Sequence, residues 1–405
     1  MGRRGFRLAM GVALAAFAAG PAMASELFDA CAEIAASKYE PGYEGVGPVD
    51  VVDFTGYDAI EACAPALAED PGNIQLEAWL GVAYASYGPI DSGLPLLEHA
   101  AAAGNVVAQR ALGDLLVLGK GVHQDLPRAM SLFEAAQAAG FAPAALSLAY
   151  SYDYGDGVVA DAGTAFKWYM VAAEGGVGRA QAIVGDRYQK GLGVEADDKA
   201  AFGWLKRAAE AGDGPGQYRL GVAYLEGRGT KASRAKALAA FRAAGDTGSP
   251  EGDNALGYMT ELGIGLPADP DAAINLYYSA SGHNLPVARY NLARLKQLGE
   301  GTDIDLENAR ELYLKAARGG EMRAAVNLAL MDLRGEGGSV DMADAVRWLQ
   351  AAADAGNAAG ENNLGRLYEL GLGVDADLDK ARVLYAHAAD AGYKLAASNL
   401  ARLGQ

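Results

Sequence analysis

Eight glycines stand 36 residues apart along this chain: Gly119, Gly155, Gly191, Gly227, Gly263, Gly299, Gly335 and Gly371. Each is followed two residues later by another, from Gly121 to Gly373. Ala129, Ala165, Ala201, Ala237, Ala273, Ala309, Ala345 and Ala381 keep the same interval. So do Asp125, Asp161, Asp197, Ser233, Asp269, Asp305, Asp341 and Asp377. A fixed period of roughly 20–50 residues marks a stacked array of small units. It argues against the two or three separate domains, of about 150 residues each, that 405 residues could otherwise hold.

One unit, Ala358 to Tyr393, shows the local logic. Leu364, Leu367 and Tyr368 lie on one stripe at helical spacing. Gly371-Leu372-Gly373 ends that helix, because glycine accepts the left-handed backbone of helix termini and tight turns. Asp377 then offers a carboxylate to the free amides of a second helix. In one copy, Asp269-Pro270, the cap is followed by proline at the first helical position, where its missing donor costs nothing. The second helix runs through Ala381, Leu384, Tyr385 and Ala388-Ala389 to Gly392. The small alanine of the Ala381 column falls where two helices cross closely. Trp168, Trp204 and Trp348 share one column and read as core packing.

The succession Leu-Gly-x-x-Tyr, Gly-x-Gly-Val, Asp, Ala, Trp, Ala-Ala and Gly resembles the Sel-one-like repeat, a relative of the tetratricopeptide repeat. Val184-Gly185-Asp186-Arg187-Tyr188, Gly191-Leu192-Gly193-Val194, Asp197, Ala201, Trp204, Ala208-Ala209 and Gly212 match it nearly throughout. The resemblance covers eight units, residues 106–393, and implies an all-α, right-handed superhelical solenoid of antiparallel helix pairs. Residues 394–405 continue as a capping helix that shields the last apolar face. Ala59, Cys63, Ala66 and Leu80-Gly81 place degenerate tetratricopeptide-like helices over 59–105. The first unit of these, Leu80 to Leu112, is 32 residues long and lacks the Gly-x-Gly pair at Tyr87-Gly88. Residues 25–58, with Pro41-Gly42-Tyr43, read as a loop-rich cap.

The first 24 residues read as a signal peptide. Arg3, Arg4 and Arg7 precede a short apolar stretch, Leu8 to Ala19, and Ala22-Met23-Ala24 is a small-x-small cleavage site before Ser25. That stretch is too short for a stable membrane span. Arg3-Arg4 leaves twin-arginine export open beside the general route. The expectation is a bacterial periplasmic protein, with secretion as the alternative and no membrane insertion after cleavage. Cleavage would move the formal charge from −17 to −20. Such an acidic surface repels phosphate backbones, so nucleic acid is disfavoured as a partner. The two cysteines, Cys31 and Cys63, read in an oxidising compartment as one disulfide. It would close a loop of 32 residues and stabilise it by roughly 3–4 kcal/mol in the chain-entropy model.

Catalytic signals are lacking. The glycine pairs lie between helices, where a dinucleotide fingerprint needs a preceding strand. The aspartates of the cap column are a whole unit apart and cannot converge on one ion. His99, His123, His283 and His387 have no ligand partners at metal spacing. The chain therefore reads as a non-enzyme without cofactor or metal. In related repeats the first helices line the concave face, with exposed positions two before, two after and five after the Leu of Leu-Gly. Carried over, the resemblance implies a partner-binding face of Tyr150, Asp186, Tyr218, Asn254, Tyr258, Tyr290, Arg294, Asn362 and Arg366. Asp153, Gln189, Glu261, Gln297 and Glu369 are the five-after positions. A protein-interaction scaffold or adaptor, acting as regulator or assembly factor, is the function implied. A glycan-binding accessory protein of the envelope is the alternative.

Overall fold

In the computed structural model the described residues are 21–43 and 56–404. Residues 1–20, which carry most of the expected signal, lie outside them. Twenty-one helices are present, with no extended strand among the described residues. They divide between two compact units, Met1–Ala180 with Leu192–Val194, and Gln181–Gly191 with Glu195–Gln405.

Unit 1 holds α1 (Pro21–Ala35), α2 (Gly56–Glu69), α3 (Ile74–Tyr87), α4 (Ile90–Ala102), α5 (Val106–Leu118), α6 (Leu126–Ala138), α7 (Ala142–Tyr154) and α8 (Ala162–Glu174). They pack as consecutive pairs, α1 on α2 through α7 on α8. First helices also meet the next first helix, α3 with α5 and α5 with α7. Helix α9 (Gly178–Lys190) leads into unit 2. There follow α10 (Asp198–Glu210), α11 (Gly214–Glu226), α12 (Arg234–Asp246), α13 (Pro250–Leu262), α14 (Pro270–Gly282) and α15 (Pro286–Leu298). The rest are α16 (Leu306–Arg318), α17 (Met322–Arg334), α18 (Met342–Asp354), α19 (Ala358–Leu370), α20 (Leu378–Asp390) and α21 (Lys394–Leu403). Here too first helices touch across units of the repeat, α11 with α13 and α17 with α19.

The repeated columns explain these elements. In all eight repeats the cap-column side chain accepts a hydrogen bond from a backbone N–H of the first turn of the second helix. All eight column alanines are fully buried. The two glycines of each pair divide the labour. The first caps the first helix with φ between 63 and 80°. The second, with φ between 65 and 83°, lies against the opening turn of the preceding second helix. A Cβ on Gly229 would sit 2.0 Å from the Asp198 carbonyl oxygen, and one on Gly337 2.3 Å from that of Leu306. A side chain is excluded there by backbone contact as well as by dihedral.

Of the 25–58 segment, expected to be a loop-rich cap, residues 44–55 lie outside the described residues; before them α1 continues through Ala35 and buries Cys31, Ala32 and Ala35. Among the described residues, turns follow at Ser37–Tyr43. The expected cleavage point before Ser25 falls inside α1. Cys31 and Cys63 form a disulfide that joins α1 to α2. The short unit turns at Gly88-Pro89, where Gly88 is extended rather than left-handed. That two-residue turn replaces the longer Gly-x-Gly connection and accounts for the missing residues.

The tryptophan column is not the core. Trp168, Trp204 and Trp348 are half-buried, and Arg207 lies over the Trp204 ring at 4.6 Å. The buried knob is one residue later: Phe133, Tyr169, Leu205, Phe241, Tyr277, Tyr313, Leu349 and Tyr385, each at most 1% exposed. A one-residue step is about 100° around a helix, enough to turn a side chain from the pair interface toward its rim. Each knob points at the first helix of its own pair. In five repeats a glycine facing it leaves room, as a Cβ on Gly221 would lie 2.5 Å from the Phe241 ring and one on Gly185 2.7 Å from Leu205; Ala149, Ala293 and Ala329 take that position in the others.

Candidate functional site

The expected binding residues sit on first helices, yet the structure treats them unequally. In unit 1, Tyr150 stacks on Tyr154 at 6.2 Å and meets Tyr169 edge-on at 5.7 Å. In unit 2, Asp186 pairs with Lys190 at 2.8 Å and with Arg219 at 3.4 Å. Tyr218 is half-buried against Phe241, and burial raises its hydroxyl pKa. Asn254 accepts a hydrogen bond from Asn291 at 3.0 Å. Tyr258 is 48% exposed and Arg366 is exposed. Tyr290 is half-buried, roofed by the Arg323 guanidinium at 4.6 Å.

Asn362 departs furthest from the expected face. It is 1% exposed, and its side-chain oxygen accepts from Asn399 at 2.9 Å. The cause is the neighbouring first helix, α21, which covers the two-before position. Tyr290 is drawn partly inward for a similar reason, since α17 brings Arg323 across it. These two residues therefore contribute positioning more than open surface.

The five-after positions serve the interior. The buried Tyr169 hydroxyl donates to Asp153 at 2.9 Å, and Tyr277 donates to Glu261 at 2.9 Å. Tyr313 donates to Gln297 at 3.0 Å, and Tyr385 donates to Glu369 at 2.7 Å. All four pairs are 16 residues apart. Where the knob is Phe133, Phe241 or Leu349, that position holds Val117, Leu225 or Leu333. A buried hydroxyl left unpaired costs about 1–3 kcal/mol, so tyrosine appears where an acceptor faces it. Burial raises the Tyr277 and Tyr385 hydroxyls and pushes that of Tyr313 up to about 12. These groups stay protonated and act as donors.

Two acceptors also bind a cation from the next first helix. Arg294 bonds Glu261 and approaches Glu300 at 3.7 Å, while Arg402 bonds Glu369 at 2.6 and 2.7 Å. The chain Tyr277–Glu261–Arg294 thus fixes the guanidinium. Farther along, Gln297 donates to Glu336 at 3.0 Å, and Asn327 donates to the Tyr313 oxygen at 3.0 Å. Between α15 and α17 lies a depression of about 480 Å³. Leu298, Ile304, Leu306 and Leu330 supply its apolar lining, with Gln297, Asn327, Arg334 and Glu336 as polar members. Sequence reasoning missed this recess. Its signal was Leu330, apolar in the column that holds Tyr258, Arg294 and Arg366 in other repeats.

The exposed cap carboxylates give the fold a defined acid response. Asp161, Asp305 and Asp377 are held below their ordinary value of 3.8, chiefly by backbone N–H donors at Thr164, Asn308 and Lys380. A lowered folded-state value means stability that is complete above 3.8 and lost as pH falls through the lower value. The melting difference between wild type and Asp377→Ala should therefore be full near neutrality and shrink in acid. A difference independent of pH would show that the carboxylate charge is not what caps α20.

This architecture is that of a tandem helix-pair repeat protein, each pair closed by a capped turn and locked by one buried knob. The Sel1 repeat profile matches residues 106–141, 142–177, 178–213, 214–246, 250–284, 286–321, 323–357 and 358–393. The chain belongs to the Sel1 repeat family. Among solved structures, a Sel1 repeat protein from Oxalobacter formigenes is similar at 30% identity and TM-score 0.56, over 78% of this chain and 92% of that one. A protective antigen of uropathogenic Escherichia coli with an SLR fold shares 26% identity at TM-score 0.49, over 86% of this chain and 83% of that one. No curated protein matches the sequence. Sel1 and tetratricopeptide-like repeats generally mediate protein–protein interaction, and the family is typically non-catalytic. No described helix is long and apolar enough to cross a membrane.

Proposed function

We propose that the chain is an exported protein-interaction scaffold, an adaptor or regulator of the bacterial periplasm, that holds a partner segment on the first-helix face of unit 2. The observation that carries this reading is the apolar recess between α15 and α17; exposed Tyr258 and the fixed Arg294 occupy, on earlier first helices, the repeat position that Leu330 holds at the recess. An apolar side chain entering the recess would exclude water, while the rim amides, Arg334 and Glu336 supply directional bonds. Tyr258 adds area with a polar tip, a combination favoured at recognition surfaces. The arginine–glutamate pairs are set before any partner arrives, which reduces the ordering cost of binding. Export is supported by the basic and apolar start, the small-x-small motif before Ser25, and the single disulfide.

The test is capture from an envelope extract, using chain recovered from the periplasmic fraction whose intact mass begins at Ser25. Tyr258→Ala combined with Arg334→Glu should weaken capture by about 1 kcal/mol or more per anchor. Helicity and melting should be unchanged, because both side chains are exposed. Undiminished capture by the double variant would remove unit 2's first-helix face from the reading. Recovery of glycan instead of protein would replace it with envelope carbohydrate binding.

A further inference from the structure

Unit 1 already has something seated on it. The segment Ala36–Tyr43, which follows α1, belongs to no helix pair, yet Ala36, Ser37 and Glu40 are at most 2% exposed. The Glu40 carboxylate accepts from the indole N–H of Trp79 at 2.9 Å and from the side-chain amide of Gln75 at 2.5 Å. Gln75 is itself oriented by Asn105, which donates to its oxygen at 3.0 Å. One residue earlier, the Tyr39 hydroxyl donates to the Gly176 carbonyl at 3.2 Å, 137 residues away. Tyr43 sets its ring edge-on to Trp79 at 5.0 Å. Two internal bonds, Glu40 N–H to the Ser37 carbonyl and Tyr43 N–H to the Glu40 carbonyl, hold the segment in successive turns.

The seat comes from the repeats and the occupant from outside them. Gln75 and Trp79 project from α3, and Gly176 is the left-handed turn after α8. The buried knobs Phe133 and Tyr169 complete their pairs without the segment. A buried carboxylate is costly unless matched by donors, and here two side-chain donors converge on it. Such a donor set selects an acidic residue, and the Gly176 carbonyl beside it selects a hydroxyl one position earlier.

We propose that Ala36–Tyr43 is a cis-acting occupant of a peptide seat on unit 1. The seat receives, once the segment leaves, a partner segment of the same chemistry: a tyrosine followed directly by a glutamate. Held in place beyond the Cys31–Cys63 link, the segment competes at the high effective concentration of a tethered ligand, of millimolar order. The inference rests on the reading of the chain as a protein-binding scaffold but uses a different surface. Partner capture that depends on Tyr258 would survive its failure.

The probe is a fluorescent octapeptide with the sequence of residues 36–43, titrated against full-length oxidised protein. Tyr39→Ala combined with Glu40→Ala empties the seat and should bind the peptide at least tenfold more tightly than wild type does. Tyr39→Phe, which removes the hydroxyl bond to Gly176, should fall between the two. Adding Gln75→Ala to the emptied variant should abolish the gain. Equal affinities for wild type and both variants, or no binding by any of them, would overturn the proposal. So would a gain that persists after Gln75→Ala, since it would place the peptide elsewhere.

Discussion

Phe241→Ala is expected to destabilise unit 2 by about 3–5 kcal/mol. The ring is 1% exposed, packs beneath Gly221 and is touched by Tyr218. Its removal opens a cavity that neighbouring helices cannot close, because Ala237 and Ala244 on the same helix are already in full contact. Trp204→Ala, although it deletes a larger side chain, should cost only about 1–2 kcal/mol, since that ring is only half-buried at the rim of the pair and lies under Arg207. Chemical denaturation of the two variants measures both. Equal losses would mean that the tryptophan column carries the core after all.

Gly229→Ala should be the most damaging of the small substitutions. Left-handed backbone penalises any β-carbon by about 1 kcal/mol. At this position the added atom would also meet the Asp198 carbonyl at 2.0 Å, so α10 and the turn must separate, adding about 1–3 kcal/mol of overpacking. Gly212→Ala supplies the control. Its φ is 84°, but nothing lies within 4 Å of the new atom, and the dihedral cost of about 1 kcal/mol stands alone. Matching melting temperatures for the two variants would show that the joint between repeats is not set by this approach.

The fold was legible because each device that builds it recurs at one interval. A helix stop, a cap and a close crossing need particular residue types, and eight aligned copies make glycine, aspartate and alanine stand out. What escaped is where two columns compete for one role. Trp204 and Leu205 are both apolar, and only the helix's rotation about its axis decides which one is buried. The candidate site was less legible for a related reason. Spacing located the first helices, and Tyr258 and Arg366 are indeed open. Asn362 is closed because α21 crosses it, and no pattern within its own repeat records what the next helix covers. The recess near Leu330 depends on two adjacent repeats at once. The seat for Glu40 brings together side chains 35 and 39 residues distant.

The tyrosine–acceptor pairs also bear on how such a chain avoids misassembly. Its helices are near copies, sharing caps, crossings and length, so a second helix could in principle dock on the wrong first helix with little loss of apolar contact. The hydroxyl acts as an address. If α14 docked on α11 instead of α13, Tyr277 would face Leu225 where it now meets Glu261, and the glutamate would lose its donor. Each swap between a tyrosine pair and an apolar pair strands one polar group in the interior. Tyrosine pairs, at 169, 277, 313 and 385, and apolar pairs, at 133, 241 and 349, are interspersed along the chain, with Leu205 opposite Gln189 as the one mixed pair. An otherwise uniform ladder thereby acquires an order, and whole helix pairs, not single helices, become the pieces that can be exchanged or duplicated with the tyrosine–acceptor bond intact.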